Sequence, residues 1–244
     1  MKLLLRSLAI VASMLPAPLL ADEVQVAVAS NFAPVLEKLE PLFESQSGHT
    51  LTIVAGATGN HYAQIVNGAP FDVFLAADDE RPKMLEEAGK AVAGTSFTYA
   101  LGKLVLWSAD PGAVDVEGKV LESGFTHLAM ANPRLSPYGE AAQEALTQLG
   151  LWDKVQGRVV QGDNIAQTLQ FVQSGNAEIG FIALSQLLDI GSSGSHWEVP
   201  AELYTPIVQQ GVLLKESAAA RAFIAFLKLN VSQDFIRMAG YDLP

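Results

Sequence analysis

Short apolar runs alternate along the chain with segments whose apolar residues recur at helical spacing. The first run, 24–29, precedes Phe32, Val35, Leu39 and Phe43, which fall on one face of a helix. The same alternation of strand and helix patterns continues to the end of the chain. It predicts an α/β fold with largely parallel sheets.

The predicted elements fall into two groups. The first contains strands at 24–29, 51–55 and 73–76, helices over 32–43, 61–66 and 78–89, and a turn at 56–60. The second contains strands at 103–108, 127–131, 159–160 and 179–182, helices at 136–149, 165–173 and 186–190, and a surface loop at 192–195. A strand at 207–214 and helices at 218–229 and 234–238 close the chain. Because no flexible linker separates the groups, they predict two lobes in one continuous chain.

The first 21 residues have the composition of a secretory signal. Lys2 and Arg6 flank an apolar run that Pro16 and Pro18 interrupt, and the run is shorter than the roughly 20 apolar residues of a spanning helix. We expect cleavage after Ala21, which removes two positive charges and changes the net charge from −11 to −13. The mature chain is therefore expected to be exported.

Composition excludes several classes of function. The 244 residues are 50% hydrophobic and 17% charged, which is typical of a globular protein. A net charge of −11 makes nucleic acid an unfavourable partner. The absence of cysteine excludes disulfides, thiolate metal sites and a cysteine nucleophile.

Catalytic and metal-binding signatures are also missing from the sequence. It contains no G-x-S-x-G, phosphate-binding loop, G-x-G-x-x-G or H-E-x-x-H motif. Acidic residues at 78–80 fit either solvated charges at the start of a helix or a carboxylate cluster for acid–base or metal chemistry. The four histidines lie without ligand spacing, at His49, His61, His127 and His196.

Polar or glycine-containing turns recur where a predicted strand ends and a helix begins. They occur at 30–31, 58–60, 136–139 and 163–165, two in each group of elements. Helix N-termini present unpaired N–H groups, and ligands of open α/β folds bind beyond the carboxyl ends of the strands. The turns either converge on a small anion or simply cap their helices, and the pattern alone leaves both interpretations open.

Several longer stretches resemble the periplasmic molybdate-binding proteins of ABC transporters, and the likeness covers essentially the whole mature chain. These stretches are 26–32, 62–70, 102–108, 136–139, 194–197 and 206–210. The resemblance implies a class II periplasmic binding protein that holds a tetrahedral oxyanion between two lobes. It also implies two chain crossings, near Tyr99 and near 204–207, with lobe 1 at 22–99 plus 207–244 and lobe 2 at 100–206.

The resemblance further implies the residues that contact the anion: Ser30, Asn31, Thr58, Tyr138 and Ile165. Two segments depart from the family pattern. The turn at 57–59 replaces a serine-rich run, and 181–183 lacks a tyrosine that one branch of the family uses. The second departure implies the branch whose contact comes from Asn31 or Tyr138 instead.

The expected function is that of a secreted binding protein that captures molybdate and tungstate. The resemblance implies a periplasmic monomer that delivers its ligand to the membrane permease of an ABC transporter, with no cofactor, metal site or catalytic residue. Sulfate, ferric ion or an organic acid are alternative ligands. An exported α/β hydrolase is the alternative from another functional class.

Overall fold

The computed structural model describes residues 22–244. The predicted signal segment, 1–21, lies outside the described residues. The described part of the chain forms two α/β lobes, each built on a five-stranded sheet. The expected two-lobed α/β architecture is therefore confirmed.

Lobe 1, as the name is used below, contains the first sheet and the helices packed on it. Its strands, in sheet order, are β2 (Thr50–Gly56), β1 (Glu23–Ala29), β3 (Val73–Leu75), β10 (Ile207–Leu213) and β4 (Phe97–Gly102). Its helices are α1 (Ala33–Ser47), α2 (Thr58–Val66), α3 (Glu80–Glu87), α8 (Ala218–Leu227) and α9 (Asn230–Met238).

Lobe 2 contains the second sheet and its helices. Its strands, in sheet order, are β7 (Val159–Gly162), β6 (Leu128–Ala131), β8 (Ile179–Ala183), β5 (Leu104–Ser108) and β9 (Ser195–Glu198). Its helices are α4 (Pro137–Gln148), α5 (Trp152–Val155), α6 (Ile165–Gln173) and α7 (Leu184–Asp189). Short 3₁₀ helices lie at Lys119–Glu122, Gln156–Arg158 and Ala201–Leu203.

Both sheets are mixed, so the expectation of largely parallel sheets is wrong for one strand in each. β1 pairs in parallel with β2 and β3, but β10 runs antiparallel to β3 and β4. In lobe 2, β6 pairs in parallel with β7 and β8, whereas β5 runs antiparallel to β8 and β9. Each reversed strand is the first strand after the chain arrives from the other lobe, and it therefore enters its sheet from the opposite end.

The chain passes between the two sheets twice. It leaves lobe 1 between β4 and β5 and returns between β9 and β10. Only residue 103 separates β4 from β5, which makes the first crossing short. The exact division of the lobes at 99 and 206 stays a prediction about which residues move together.

The apolar spacing of the sequence identifies the core of lobe 1. Phe32, Leu36, Leu39 and Phe43 pack with the valines of β1, as the helical periodicity predicts. The core of lobe 2 also includes Ala29 and Ala77 of lobe 1. Ile207 of lobe 1 belongs to the same core, so apolar contact between the lobes occurs where β1 and β3 end and where β10 begins.

Several local predictions need correction. The segment predicted as a turn at 56–60 already belongs to α2 from Thr58 onwards, and α9 begins four residues before the predicted 234. Strands β4 and β9 were not predicted. Ser195, assigned to a surface loop, is buried at the start of β9, where its hydroxyl donates to the Asp110 carbonyl at 2.5 Å. Helix α6 has the predicted bounds.

Helices long and apolar enough to cross a membrane are not found among residues 22–244.

Candidate functional site

Four of the predicted polar turns lie at the carboxyl ends of parallel strands. In lobe 1, Ala29 of β1 pairs with Gly56 of β2, and the Ser30 N–H donates to the Gly56 carbonyl at 2.9 Å. These contacts place the turn after β1 beside the start of α2. Ser30 and Thr58 therefore lie at one edge of the sheet.

Lobe 2 repeats this arrangement. Ala131 of β6 pairs with Gly162 of β7, and the Asn132 N–H donates to the Gly162 carbonyl at 2.8 Å. The starts of α4 and α6 thus lie side by side. A side chain at Gly139 would collide with the carbonyl of Ala131, so glycine at this position permits the first turn of α4 to approach β6 closely.

Two contacts join these edges across the lobes. The Gly59 N–H of α2 donates to the Leu135 carbonyl, just before α4, at 2.8 Å. Ser30 Oγ donates to Asn164 Oδ1 at 3.3 Å and accepts from the Ala166 N–H at 3.4 Å. Together with the contacts inside each lobe, they connect the four turns into a closed ring.

All five residues implied by the family resemblance lie in this ring or directly beside it. Each is buried, and the most exposed of them, Ser30, retains only 7% of its surface. Within residues 22–244, four of their backbone N–H groups make no hydrogen bond: those of Asn31, Thr58, Tyr138 and Ile165. Three of these are first-turn positions, whose N–H groups no carbonyl of the same helix reaches.

Two hydroxyl groups complete the set of possible donors. Ser30 Oγ lies at the start of α6, and its one hydrogen, which bonds Asn164 Oδ1 here, has to turn towards an anion for Ser30 to donate to it. Thr58 Oγ1 accepts a hydrogen bond from the Ala77 N–H at 3.1 Å, which leaves its own hydrogen for another acceptor. The ring thus offers hydroxyl hydrogens from lobe 1 and amide hydrogens from both lobes.

The side chain of Asn31 faces away from this set. Its amide nitrogen donates to Gln209 Oε1 at 2.8 Å and to the Tyr241 hydroxyl at 2.9 Å. The Tyr241 hydroxyl also lies 2.9 Å from the Asn31 carbonyl and 2.9 Å from Ser185 Oγ in lobe 2. Only the backbone N–H of Asn31 is therefore placed to contact a ligand.

Tyr138 is the second residue of α4, with Ser136 at the N-cap and Pro137 at the first position. Its hydroxyl packs so closely on Gly102, at the end of β4, that a side chain there would collide with it. Burial raises the pKa of the Tyr138 phenol well above its ordinary value, so the ring stays neutral. The backbone N–H, rather than the phenol, is positioned as the donor.

The electrostatics of the ring are those of neutral dipoles. None of the five residues carries a charge, and α2, α4 and α6 direct the positive ends of their dipoles towards the ring. No cluster of His, Asp and Glu able to hold a metal ion occurs in the described part of the chain. The arrangement is suited to holding a small anion by hydrogen bonds alone.

The comparison with known proteins agrees with this geometry. The profile of the bacterial extracellular solute-binding proteins matches residues 24–242. A molybdate-binding protein ModA from Azotobacter vinelandii is 50% identical over 229 residues, covering 91% of each chain. The ModA protein from Rhodobacter capsulatus is 47% identical over 227 residues, covering 92% of this chain and 90% of its own. The chain belongs to the ModA family.

A solved structure supports the family assignment. The periplasmic molybdate-binding protein of Azotobacter vinelandii superposes with a TM-score of 0.87 at 45% identity, covering 91% of this chain and 99% of its own. The two lobes with mixed sheets thus have the class II arrangement implied by the sequence. The members of the ModA family bind solutes and are not enzymes, which confirms the expectation that this chain has no catalytic function.

Sequence reasoning identified the turns of this ModA-family chain but missed the residues that hold them in place. Gln209, Tyr241 and Ser185 form the hydrogen-bonded cluster behind Asn31, and none of them was predicted. The sequence does carry a signal for a role of Gln209, because a polar pair at 209–210 interrupts an otherwise apolar strand. Asn164 caps α6, since its Oδ1 accepts from the Gln167 N–H at 3.0 Å.

Only two of the three acidic residues at 78–80 are solvated charges at the start of a helix. Asp79 and Glu80 are exposed at the start of α3, as expected of solvated charges. Asp78 is largely buried and pairs with Arg81 at 2.5 Å. This residue therefore has a structural partner that the sequence pattern did not reveal.

His61 connects α2 to the core of lobe 1. It is buried at the fourth position of the helix, with Nδ1 3.2 Å from Gln64 Oε1 and its ring edge-on to Phe71 and Phe74. Burial lowers the pKa of His61 below 6.5, although the contact with Gln64 acts in the opposite direction. The folded protein thus holds this histidine neutral.

We predict that His61 makes the protein less stable in mild acid. Below pH 6.5 the unfolded chain binds a proton that the folded chain resists, so the free energy of unfolding falls by up to about 1.4 kcal/mol per pH unit. Urea unfolding at pH 7.5 and pH 5.5 should show a smaller decrease for His61→Gln than for the natural protein. The exposed His127→Gln is the matched control, and equal decreases in both variants would contradict this role for His61.

Proposed function

We propose that this protein captures molybdate, and also tungstate, between its two lobes and delivers it to the permease of an ABC transporter. The observation that carries the proposal is the closed ring of four turns, which directs unpaired N–H groups from both lobes to one place. Relatives about half identical to this chain that are named as molybdate-binding proteins give the ligand its chemical identity. Ser30, Asn31, Thr58, Tyr138 and Ile165 are the proposed contacts.

Neutral donors are sufficient for a divalent oxyanion. A hydrogen bond to a charged group contributes roughly 1.5 to 3 kcal/mol, so six of them offset much of the cost of removing water from the ion. The net charge of −11 does not prevent binding, because exposed charges are screened over about 8 Å at physiological ionic strength. Dipoles aimed into a buried cleft are screened far less.

The same ring accounts for selection by size. Its donors lie at the starts of helices and in the turn after β1, all anchored to the two sheets, so their spacing is fixed when the lobes are closed. A smaller oxyanion such as sulfate leaves some of these hydrogen bonds stretched, and stretched bonds are weaker. Molybdate and tungstate are nearly equal in size and charge, so both are expected to bind.

Transport requires that the lobes open and close. We propose that lobe 1 and lobe 2, divided near 99 and near 206, move as two bodies about the two crossings, and that the permease recognises the closed form. We further propose that 1–21 is a cleaved export signal and that the mature protein is a periplasmic monomer. Its membership of an extracellular solute-binding family supports this location.

Calorimetric titration of the mature protein tests the ligand directly. We expect tight binding of molybdate and tungstate, and weak or no binding of sulfate and phosphate, because only the larger ions match the fixed donor spacing. Tight sulfate binding without molybdate binding would reject the proposed ligand.

The hydroxyl donors can be tested one at a time. Ser30→Ala and Thr58→Ala should each weaken molybdate binding by roughly 1.5 to 3 kcal/mol, because a buried anion oxygen loses a charge-assisted hydrogen bond. Ser45→Ala is the control, since the Ser45 hydroxyl is exposed and bonds only the Leu42 carbonyl. Unchanged affinity in both site variants would place the anion elsewhere.

Tyr138 separates recognition by backbone from recognition by side chain. Tyr138→Phe should change molybdate affinity by less than about 1 kcal/mol, because the phenol makes no hydrogen bond in the described structure. Tyr138→Pro removes the N–H at a helix position that accepts proline, and should cost more than about 2 kcal/mol of binding. A large loss in Tyr138→Phe would instead identify the hydroxyl as the donor; circular dichroism checks that both variants fold.

A further inference from the structure

Arg81 lies at the beginning of α3, outside the ring of donors. Its Nη1 is 2.5 Å from Asp78 Oδ2, and its backbone N–H donates to Asp78 Oδ1 at 2.9 Å. The two side chains are only 18% and 15% exposed, so the pair is largely shielded from water. Asp78 therefore fixes the direction in which the guanidinium points.

That direction leads into lobe 2. Nη2 of Arg81 donates to the carbonyl of Arg134 at 3.1 Å. The next carbonyl, that of Leu135, accepts the Gly59 N–H described above. Two consecutive carbonyls of lobe 2 are thus bonded by lobe 1, immediately before the first turn of α4.

The segment that carries these carbonyls is itself well ordered by hydrogen bonds. The Asn132 carbonyl accepts the N–H groups of Leu135 and Ser136 at 3.0 and 2.9 Å. Asn132 Oδ1 accepts the Arg134 N–H at 3.0 Å. A bond from Arg81 to this segment therefore holds the start of α4, where Tyr138 lies, against lobe 1.

Arg81 also lies among carboxylates from both lobes. A cavity of about 170 Å³ between α3, α4 and the 205–208 crossing is lined by Asp78, Asp79 and Glu80 from lobe 1 and by Glu140 and Glu144 from lobe 2. Burial raises the pKa of Asp78, and burial together with Glu144 raises the pKa of Glu140. In both cases Arg81 acts in the opposite direction, which places its charge within reach of carboxylates on both sides of the cleft.

We propose that Arg81 is a positioning residue for closure of the lobes. It bonds the Arg134 carbonyl and offsets the repulsion between carboxylates that closure brings together, and so it slows release of the bound anion. This inference rests on the proposed function for the identity of the anion. Arg81 itself acts from outside the donor ring.

Three variants test the two parts of this role. Arg81→Gln removes both the charge and the fork of donors, whereas Arg81→Lys keeps the charge and loses the planar fork. Lys83→Gln is the control, because it makes the same change in net charge on the exposed side of α3, where Lys83 pairs loosely with Glu87. The measurement is the rate at which labelled molybdate exchanges for unlabelled molybdate, with the association rate measured in parallel.

At pH 8 we expect Arg81→Gln to release molybdate roughly 5- to 30-fold faster than the natural protein, with little change in association. Lys83→Gln should change release less than about twofold, as is usual for exposed charges. Lowering the pH to 5.5 should reduce the defect of Arg81→Gln. Burial raises the pKa values of Asp78 and Glu140, and loss of the Arg81 charge that opposes this shift lets them take up protons more readily as the pH falls, which relieves their repulsion. Arg81→Lys should release faster than the natural protein at both pH values, without this pH dependence.

Small-angle scattering of the protein without added anion measures the radius of gyration, which tests the role of Arg81 independently of the ligand. Arg81→Gln should have a larger radius of gyration than Lys83→Gln, because the bond between the lobes is lost. If the natural protein fails to bind molybdate, the proposed function is wrong and the radii alone decide the role of Arg81. Equal radii in the two variants, or equal release rates where molybdate binds, would overturn the role proposed for Arg81.

Discussion

An α-helix begins with N–H groups that its own carbonyls cannot reach, and this constraint governs the interface between the two lobes. In most proteins water or a capping side chain satisfies these groups. Here α2, α4 and α6 begin at buried positions between two sheets, where an unpaired N–H costs free energy. Some of the groups find partners in the opposite lobe, as Gly59 does at Leu135 and Ala166 does at Ser30. Those that remain unpaired are the donors that we propose for the anion.

The donors depend on a second layer of contacts for their positions. Asn31 illustrates this, because its side chain is held by Gln209 of β10 and by Tyr241 near the end of the chain. β10 is the strand on which the chain returns to lobe 1, and Tyr241 also contacts Ser185 of lobe 2. The turn that presents the Asn31 N–H is thus connected to a crossing and to the opposite lobe. The proposed ligand contact and the proposed movement of the lobes therefore involve the same hydrogen-bonded cluster.

Most of the fold was predictable because its pattern is local. The bounds of α6 follow from an Asn cap and an amphipathic run, and the helical spacing after β1 identifies the core side of α1. The first turn of α2 was mistaken for a loop, because two glycines and a threonine within five residues are typical of turns. In the structure Gly59 permits the close approach to Leu135, and Gly56 permits the close approach of the His61 ring.

The missing elements depend on contacts distant in sequence. β4 and β9 are edge strands whose pairing partners lie far along the chain, and the reversed directions of β5 and β10 follow from the crossings. The bond from Arg81 to the Arg134 carbonyl joins two segments whose sequences give no sign of each other. Conversely, family resemblance supplied the five proposed contacts, which the pattern of polar turns alone could not separate from ordinary caps.

The neutrality of the donor ring has a consequence for the net charge of the protein with bound anion. No charged side chain of the ring compensates the ligand, and none of its five residues has to gain or lose a proton when an anion enters. A divalent oxyanion held in the ring, as we propose, would add its full charge to a chain that is already acidic. We therefore expect the loaded form to migrate faster towards the anode than the empty form, so that native electrophoresis separates the two without a label.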